Sequence, residues 1–418
     1  MVNHTRLVMA AIVLVALAVR LGAVAATPHL HLADDPRDYD RHARSIAAGH
    51  GYPKSQIDLS GGPTAIRPPA FPFLLAGVYK LTGNSVTAGR IAQAVLGAIA
   101  VALIAVIALQ FWGPLVAMVV AALAAVFPPL VLDGMTLLSE PLFVVFELAS
   151  LAAILHWRQT RGVGWLAASG ALAGLALLTR ANGALLVLPL CIAALGAGGW
   201  RRLVNYRRAA LVLLCTVLVV LPWTIRNAVE LHTFIPVTDQ DGYTLIGTYN
   251  ATSERLDGRW LVGELDPHVH QLVERNRKLD EPGLDAVLRT DARRFALHHL
   301  SYLPNVALHN SLRMFNLAGP SFERDVAQFD FGLGLGWARL MTYGFLPVLA
   351  LAVVGAFTRA ARRAPAWFWL VPVLLLTPVM ILTTNRTRAP IDPFLLLLAA
   401  LGLISLSRRI AALRVRPE

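Results

Sequence analysis

Residues Arg158 to Arg208 read RQTRGVGWLAASGALAGLALLTRANGALLVLPLCIAALGAGGWRRLVNYRR. Two apolar blocks, at 164–179 and 183–198, fill this stretch. Each is close to the length that crosses a hydrocarbon core of about 30 Å. Arg158 and Arg161 precede the pair, and Arg201, Arg202, Arg207 and Arg208 follow it. Read as a helical hairpin, the pair brings both arginine-dense ends to one face, and short arginine-rich loops mark the cytoplasmic side. Arg180 alone falls at the opposite turn.

The same pattern extends along the chain. Further apolar blocks lie at 7–26, 86–109, 113–130, 141–157, 208–224, 337–357, 367–383 and 393–406. Ten spans place both termini on one side. Arg6, the group Arg359, Arg362 and Arg363, and the tail Arg408, Arg409, Arg414 and Arg416 all fall on the face of Arg158. The count is therefore supported by a charge signal that is independent of block length. The first block also has the look of a cleaved signal peptide, with Ala23-Val24-Ala25 as a small-residue site. Arg20 interrupts its apolar region, and a retained helix is the favoured reading. The last block is short for a span.

Composition agrees. The chain has 418 residues, 56% hydrophobic and only 15% charged, with a mean hydropathy of +0.59. A soluble chain carries roughly a quarter charged residues. The net charge of +12 is topology and not a nucleic-acid patch, because the arginines bracket apolar blocks. Cys191 and Cys215 lie inside apolar blocks and offer no disulfide framework. The expectation is an all-α integral membrane protein of the plasma membrane, one domain over 1–418, with outward loops at 28–85 and 225–336. The second loop is broken by Pro236, Pro267, Pro282 and Pro304. Leu284, Val287, Leu288, Ala292 and Phe295 recur in it at helical spacing, as do apolar residues from Leu303 to Leu317. Both stretches predict helices along the membrane surface or packed under the loop.

Polar residues gather at the outward ends. Asp34, Asp35, Asp38 and Asp40 follow the first span. Tyr39, Ala43 and Ile46 mark a short amphipathic helix ended by Gly49 and Gly51. Asp35 before Pro36 has the pattern of an N-cap, and on local pattern alone capping outranks catalysis. A capping carboxylate is also a fixed one, so the two roles are compatible. Arg67 precedes a stiff Pro-Pro turn, with Lys54 upstream. Glu140, in Ser139-Glu140-Pro141, sits at the mouth of a span, where capping again competes and an unpartnered acid is costly. Arg67, Arg180, Arg226, Arg386 and Arg388 are five arginines at outward helix ends, against the positive-inside trend. Snorkelling explains some of them. A planar guanidinium also suits bidentate phosphate binding at headgroup depth.

Suppose the anion bound by the outward arginines is a polyprenyl phosphate carrying a sugar; an acid-rich loop beside those arginines then matches what transfer requires. Sugar transfer from a polyprenyl phosphate needs a base for the acceptor hydroxyl and cations for the departing phosphate. It needs no strong general acid, unlike glycoside hydrolysis.

Several motifs carry a resemblance. Asp35-x3-Tyr39-x3-Ala43, Gly49-His50-Gly51-Tyr52 and Arg67-Pro68-Pro69-x-x-Pro72 resemble the GT-C superfamily of membrane glycosyltransferases. The similar branch holds protein O-mannosyltransferases and lipid A aminoarabinose transferases. Ser139-Glu140-Pro141, Leu178-Thr-Arg-Ala-Asn-Gly183, Pro222-Trp-x-x-Arg-Asn227 and Arg386-x-Arg-x-Pro-x-x-Pro393 are similar to signatures of bacterial members. The resemblance implies Asp35 as the catalytic carboxylate and Glu140 as a second acid near the acceptor. It implies Arg67, Arg386 and Arg388 as donor-phosphate contacts. Arg226 and Arg180 are expected beside them, and Tyr39 and Lys54 are expected to line the site. Many members carry Asp-Glu where this chain has Asp34-Asp35-Pro36, so Asp34 competes with Asp35 for the role of base. The family carries more spans than the ten read here and a soluble C-terminal domain that this chain is expected to lack.

The expected function is inverting transfer of a sugar from a polyprenyl-phosphate donor to a lipid, glycan or protein hydroxyl at the outer face. The alternative is a non-catalytic binder or a transporter of lipid-linked sugars. A transporter carries repeat symmetry and broken helices at mid-membrane, and no repeat is visible. No cofactor, obligatory metal or nucleic acid is expected, since His29, His31, His298 and His299 lack a convincing ligand set.

Overall fold

The computed structural model describes residues 2–54, 62–196, 203–261, 265–319, 332–381 and 385–414. Arg201, Arg202 and Arg416 of the arginine-rich set lie outside these. Every element among the described residues is helical.

Within the described residues, all ten apolar blocks fall on helices. Six are long and apolar enough to cross a membrane: Thr5–Ala25, Val86–Trp112, Glu140–Thr160, Asn205–Glu230, Leu335–Ala356 and Asp392–Leu413. The other four form the shorter helices Pro114–Val126, Val163–Thr179, Ala181–Leu195 and Ala366–Met380. The last block, short in the sequence, extends through Arg414 in a helix of 23 residues, because its polar end continues the helix past the apolar run.

The bundle is built from α1 (Val2–Ala25), α4 (Val86–Trp112), α5 (Pro114–Val126), α7 (Glu140–Thr160), α8 (Val163–Thr179), α9 (Val187–Leu195), α10 (Leu203–Glu230), α16 (Leu335–Ala356), α17 (Ala366–Leu375) and α18 (Asp392–Arg414). Local chemistry sets the corners. The Ser85 side chain accepts from the Ala88 N–H to cap α4. Gly113, at φ 86°, ends α4, and Pro114 starts α5 at once. Gly170 lets α8 approach the α10 backbone so closely that a Cβ there would strike the Val212 carbonyl. Thr216 of α10 donates to the Gly170 carbonyl at 2.9 Å across this contact. Leu214, Val217, Leu218, Leu221 and Ile225 of α10 stay exposed, which fits a helix facing lipid.

Arg20 has an architectural place. Helix α5 ends just before Phe127-Pro128-Pro129. The carbonyls of Ala124 and Ala125 would accept from residues 128 and 129, but prolines have no N–H. Arg20 supplies the missing donors: Nη2 to Ala124 at 3.2 Å and Nη1 to Ala125 at 3.0 Å. Gly97 of α4 leaves room, since a Cβ there would collide with the Arg20 side chain. The residue that interrupts the first apolar block is the one that docks it.

Helix α2 (Asp34–Ala47) follows α1, packs on α3 (Ala70–Thr82), and buries Tyr39 and Ala43 against Phe71, Leu75, Tyr79, Leu137 and Leu142. It ends as expected before Gly49 and Gly51, at φ 81° and 80°. Asp35 is not its N-cap. Ala33 holds that position, and Asp35 stands in the first turn with its carboxylate turned elsewhere. Short α6 (Pro128–Asp133) precedes α7.

The two stretches of the long loop expected to be helical are α14 (Glu281–His298) and α15 (Tyr302–Met314), and the loop also holds α11 (Asp241–Thr248), α12 (Ala251–Arg255) and α13 (Pro267–Asn276), which were not expected. They pack together, the second of the two expected arrangements. Ile246, Val269, Leu284, Leu288, Ala292 and Val306 form a small apolar core separate from that of the bundle.

The arginine-bearing loops converge. Trp112 donates to the Ala360 carbonyl at 2.7 Å, Arg158 donates to the Ala193 carbonyl at 2.8 Å, and Arg208 stacks over Trp157. Glu140 begins α7 and Arg161 ends it, so the two ends of the bundle stand roughly 30 Å apart.

Candidate active site

At the Glu140 end, three remote stretches meet. Asp35 comes from the first turn of α2. Arg67 comes from the turn before α3. Arg386 comes from a 3-10 turn, Asn385–Arg388, before α18. Arg67 Nη2 contacts Asp35 Oδ1 at 2.5 Å, and Arg386 Nη2 contacts Asp35 Oδ2 directly. One carboxylate therefore bridges two guanidinium groups. Burial alone would raise its pKa, but Arg386 and Arg67 together hold it well below the usual carboxylate range.

Glu140 forms the second half. It is fully buried, and Arg180 Nη1 meets its Oε1 at 2.6 Å, with Arg386 Nε at 3.7 Å from the same atom. Arg386 thus links the two acids. Arg180 also donates to Ser139 Oγ at 3.2 Å, as does the Tyr39 hydroxyl. Ser139 makes no capping bond to α7, and Glu140 is engaged by arginine. Capping explains neither acid. An acid in an ion pair is a shaped electrostatic feature, whereas a cap is satisfied by its own helix.

Asp35, Tyr39, Arg67, Glu140, Arg180 and Arg386 are therefore brought together. Asp34 lies beside them with φ 42°. Its carboxyl is raised by burial and by the charge of Asp35, against Arg386 and Arg37. Three expected residues stand apart. Arg388 is fully buried; its Nε holds Asp392 at 2.7 Å, its Nη1 meets the Met314 carbonyl, and its guanidinium lies 3.7 Å from the Phe345 ring centroid. It is committed to a neighbour four residues on in its own stretch of chain. Arg226 donates to the Thr64 carbonyl at 2.7 Å and stacks over Trp223 and Tyr52. It braces the segment leading to Arg67. Lys54 is exposed, and its carbonyl, not its amine, meets Arg41.

Two further acids belong to the neighbourhood. Asp38, on the same face of α2 as Asp35, takes Arg67 Nε at 2.7 Å. Its i+3 spacing from Asp35 was the available signal. Asp133 is buried near Glu140, Asp392, Arg388 and Arg386. Burial first, then the charges of Glu140 and Asp392, push its carboxyl well up. With Arg20, Gly97 and Glu140 it lines a cavity of about 10 Å³, room for one water. Nothing local in Leu132-Asp133-Gly134 marked it.

The arrangement is a set of cations held in readiness by acids. A phosphate entering among Arg67, Arg180 and Arg386 can take over the guanidinium groups that Asp35 occupies, and Asp35 then regains basicity.

Comparisons with known proteins bear on this geometry. Residues 66–225 match the family model "Dolichyl-phosphate-mannose-protein mannosyltransferase". That stretch carries Arg67, Glu140 and Arg180 but neither Asp35 nor Arg386. No curated protein sequence matches the chain. Among solved structures it is similar to the oligosaccharyltransferase AglB from Archaeoglobus fulgidus, in complex with an inhibitory peptide and a dolichol-phosphate. The TM-score is 0.54 at 15% identity, over 99% of this chain and 52% of that one. The apo form of the Archaeoglobus fulgidus oligosaccharyltransferase gives 0.56 at 13% identity, over 97% and 51%. ArnT from Cupriavidus metallidurans bound to undecaprenyl phosphate gives 0.47 at 17% identity, over 94% and 77%. The chain spans about half the length of the oligosaccharyltransferase it matches. The chain thus shares its fold with these membrane proteins, and its residues 66–225 resemble the mannosyltransferase family.

Proposed function

We propose that the chain transfers a sugar from a polyprenyl-phosphate donor to an acceptor hydroxyl, with Asp35 as general base, at the membrane face opposite its arginine-dense loops. The observation that carries this reading is the double ion pair of Asp35 with Arg67 and Arg386. The dolichol-phosphate in the AglB complex supports a lipid phosphate as the anion. The positive-inside charge distribution supports an outward site and cytoplasmic termini.

Donor phosphate binds Arg67, Arg180 and Arg386 and frees the Asp35 carboxylate. Asp35 accepts the proton of the acceptor hydroxyl as that oxygen bonds to the anomeric carbon. The bond from that carbon to the phosphate oxygen breaks, and the electron pair leaves with polyprenyl phosphate. Attack opposite the leaving group inverts the centre. The arginines stabilise the charge growing on the phosphate, an effect that usually accelerates such reactions more than the base does. Glu140, held by Arg180 and Arg386, orients those cations and lies on the acceptor side.

The test is reconstitution in lipid with polyprenyl-phosphate-linked sugars and an acceptor mixture. New glycosidic product that disappears in both Asp35→Asn and Arg67→Ala is expected. Product formation unchanged in both variants overturns the assignment.

A further inference from the structure

Arg67 is gripped from three sides by one face of α2. Asp35, Asp38, Tyr39 and His42 follow at i, i+3, i+4 and i+7, the spacing that aligns side chains on a helix. Asp35 takes Nη2, Asp38 takes Nε at 2.7 Å, and the Tyr39 ring lies 5.1 Å beneath the guanidinium carbon. The two acids differ in kind. Asp35 is partly open to the site, with a side-chain exposure of 22%, whereas the Asp38 side chain is 0% exposed. A ligand can compete with Asp35 but cannot reach Asp38.

Asp38 is itself held. Its Oδ1 meets Arg41 Nη2 at 3.1 Å and His42 Nδ1 at 3.3 Å, and buried His42 packs edge-on to Tyr52. The Tyr52 hydroxyl donates to the Arg67 carbonyl at 2.6 Å. The long loop pins the preceding peptides: Arg226 to the Thr64 carbonyl at 2.7 Å, the Ala65 N–H to Glu281 at 2.6 Å, and Thr238 to the Ile66 carbonyl at 2.6 Å. Every residue from Thr64 to Arg67 is therefore bonded from outside its own segment. This is the construction expected where a planar donor fork must be presented in one orientation.

We propose that Asp38, backed by His42, is the positioning residue for Arg67: it holds the Nε edge so that the Nη edge passes from Asp35 to an incoming lipid phosphate. This deepens the proposed function and rests on Arg67 meeting that phosphate. Asp35 and Asp38 then divide two tasks that their sequence neighbourhood leaves undivided. One acid is released when donor arrives, and the other never lets go.

A double-mutant cycle tests it. Binding of undecaprenyl phosphate to the purified full chain in detergent is measured for the unmodified protein, Asp38→Asn, Arg67→Ala and the double variant, with thermal unfolding to confirm that each is folded. Asp38→Asn keeps the shape, and Asp38→Glu is carried alongside in case it unfolds. The expected result is that Asp38→Asn weakens binding about tenfold, the scale of a charge-assisted hydrogen bond. In the Arg67→Ala background the same change should cost less than about twofold. Equal losses in both backgrounds, or no loss in either with Arg67→Ala still impaired, overturn the role of Asp38 alone. Undiminished binding by Arg67→Ala overturns the phosphate reading on which it rests.

Discussion

Asp35 and Arg386 lie 351 positions apart in the chain and meet in a direct carboxylate–guanidinium contact. The same arginine reaches Glu140 at 3.7 Å, so a turn near the end of the sequence bonds to acids from its beginning and its first half. A cluster assembled from such distant parts depends on the whole bundle being closed.

Replacing the bridging acid separates chemistry from binding. Asp35→Asn should lower transfer by roughly 10²–10⁴-fold, the usual worth of a general base. Donor binding should hold or tighten, because the competitor for Arg67 and Arg386 has lost its charge. Asp34→Asn, which leaves both ion pairs of Asp35 intact, should cost less than about tenfold by the same measure. Single-turnover rates and lipid binding on the same preparations check both.

The two arginines of the turn before α18 should behave differently. Arg386→Ala should raise the apparent KM for donor, since this guanidinium faces the site. Arg388→Met should act on stability, because it leaves buried Asp392 without its partner. Breaking a buried pair costs about 3–5 kcal/mol. Thermal unfolding beside a donor titration distinguishes a binding loss from a folding loss.

The long loop that holds α11 to α15 should weaken as pH rises. Asp239 and Asp285 are both buried against each other, beside Arg289. Burial, then the charge and hydrogen bond of Asp285, push Asp239 up to about 7 from an ordinary 3.8. A raised acid binds more protons folded than unfolded, so folding is favoured at low pH and the advantage shrinks as pH climbs from about 4 to about 7. Hydrogen exchange of α11 and α14 should quicken across that window, and Asp239→Asn should flatten the trend. Exchange that is independent of pH once corrected for intrinsic rates contradicts it.

Removing the donors that close α5 should destabilise the bundle without touching the chemistry directly. Arg20→Leu leaves the Ala124 and Ala125 carbonyls without their donors. At about 1–3 kcal/mol for each unsatisfied buried group, the loss should be about 2–6 kcal/mol. Thermal unfolding in detergent reads it.

The helical class, the positions of all ten apolar blocks and most of the acid–arginine cluster could be read from the chain. Periodicity and block length are local properties, and Arg67, Arg180 and Arg386 betrayed themselves by breaking a charge rule. What stayed hidden was the pairing. Asp35 looks like a helix cap from its neighbours, because Asp-Pro is the same dipeptide in either role. Only Arg67 and Arg386, brought from 32 and 351 positions away, decide where its carboxylate points. The pairing of Arg388 was hidden for the same reason: two residues from Arg386, it turns into the protein toward Asp392. Asp133 carried no signal at all, since its partners come from α7 and the turn before α18.

The cap that Arg20 places on α5 bears on how the protein is made. Its acceptors, Ala124 and Ala125, emerge from the ribosome 104 and 105 residues later. At about 5–20 residues per second, the interval is roughly 5–20 seconds. For that time Arg20 has only the Ala16 carbonyl of its own helix to serve. An intramembrane arginine costs about 2.5–3.5 kcal/mol near a helix centre on the insertion scale. The newborn segment must therefore wait, within the insertion machinery or with Arg20 drawn to the headgroups, until the fifth helix arrives. The last bonds that dock the first helix can therefore form only once the end of α5 has been made.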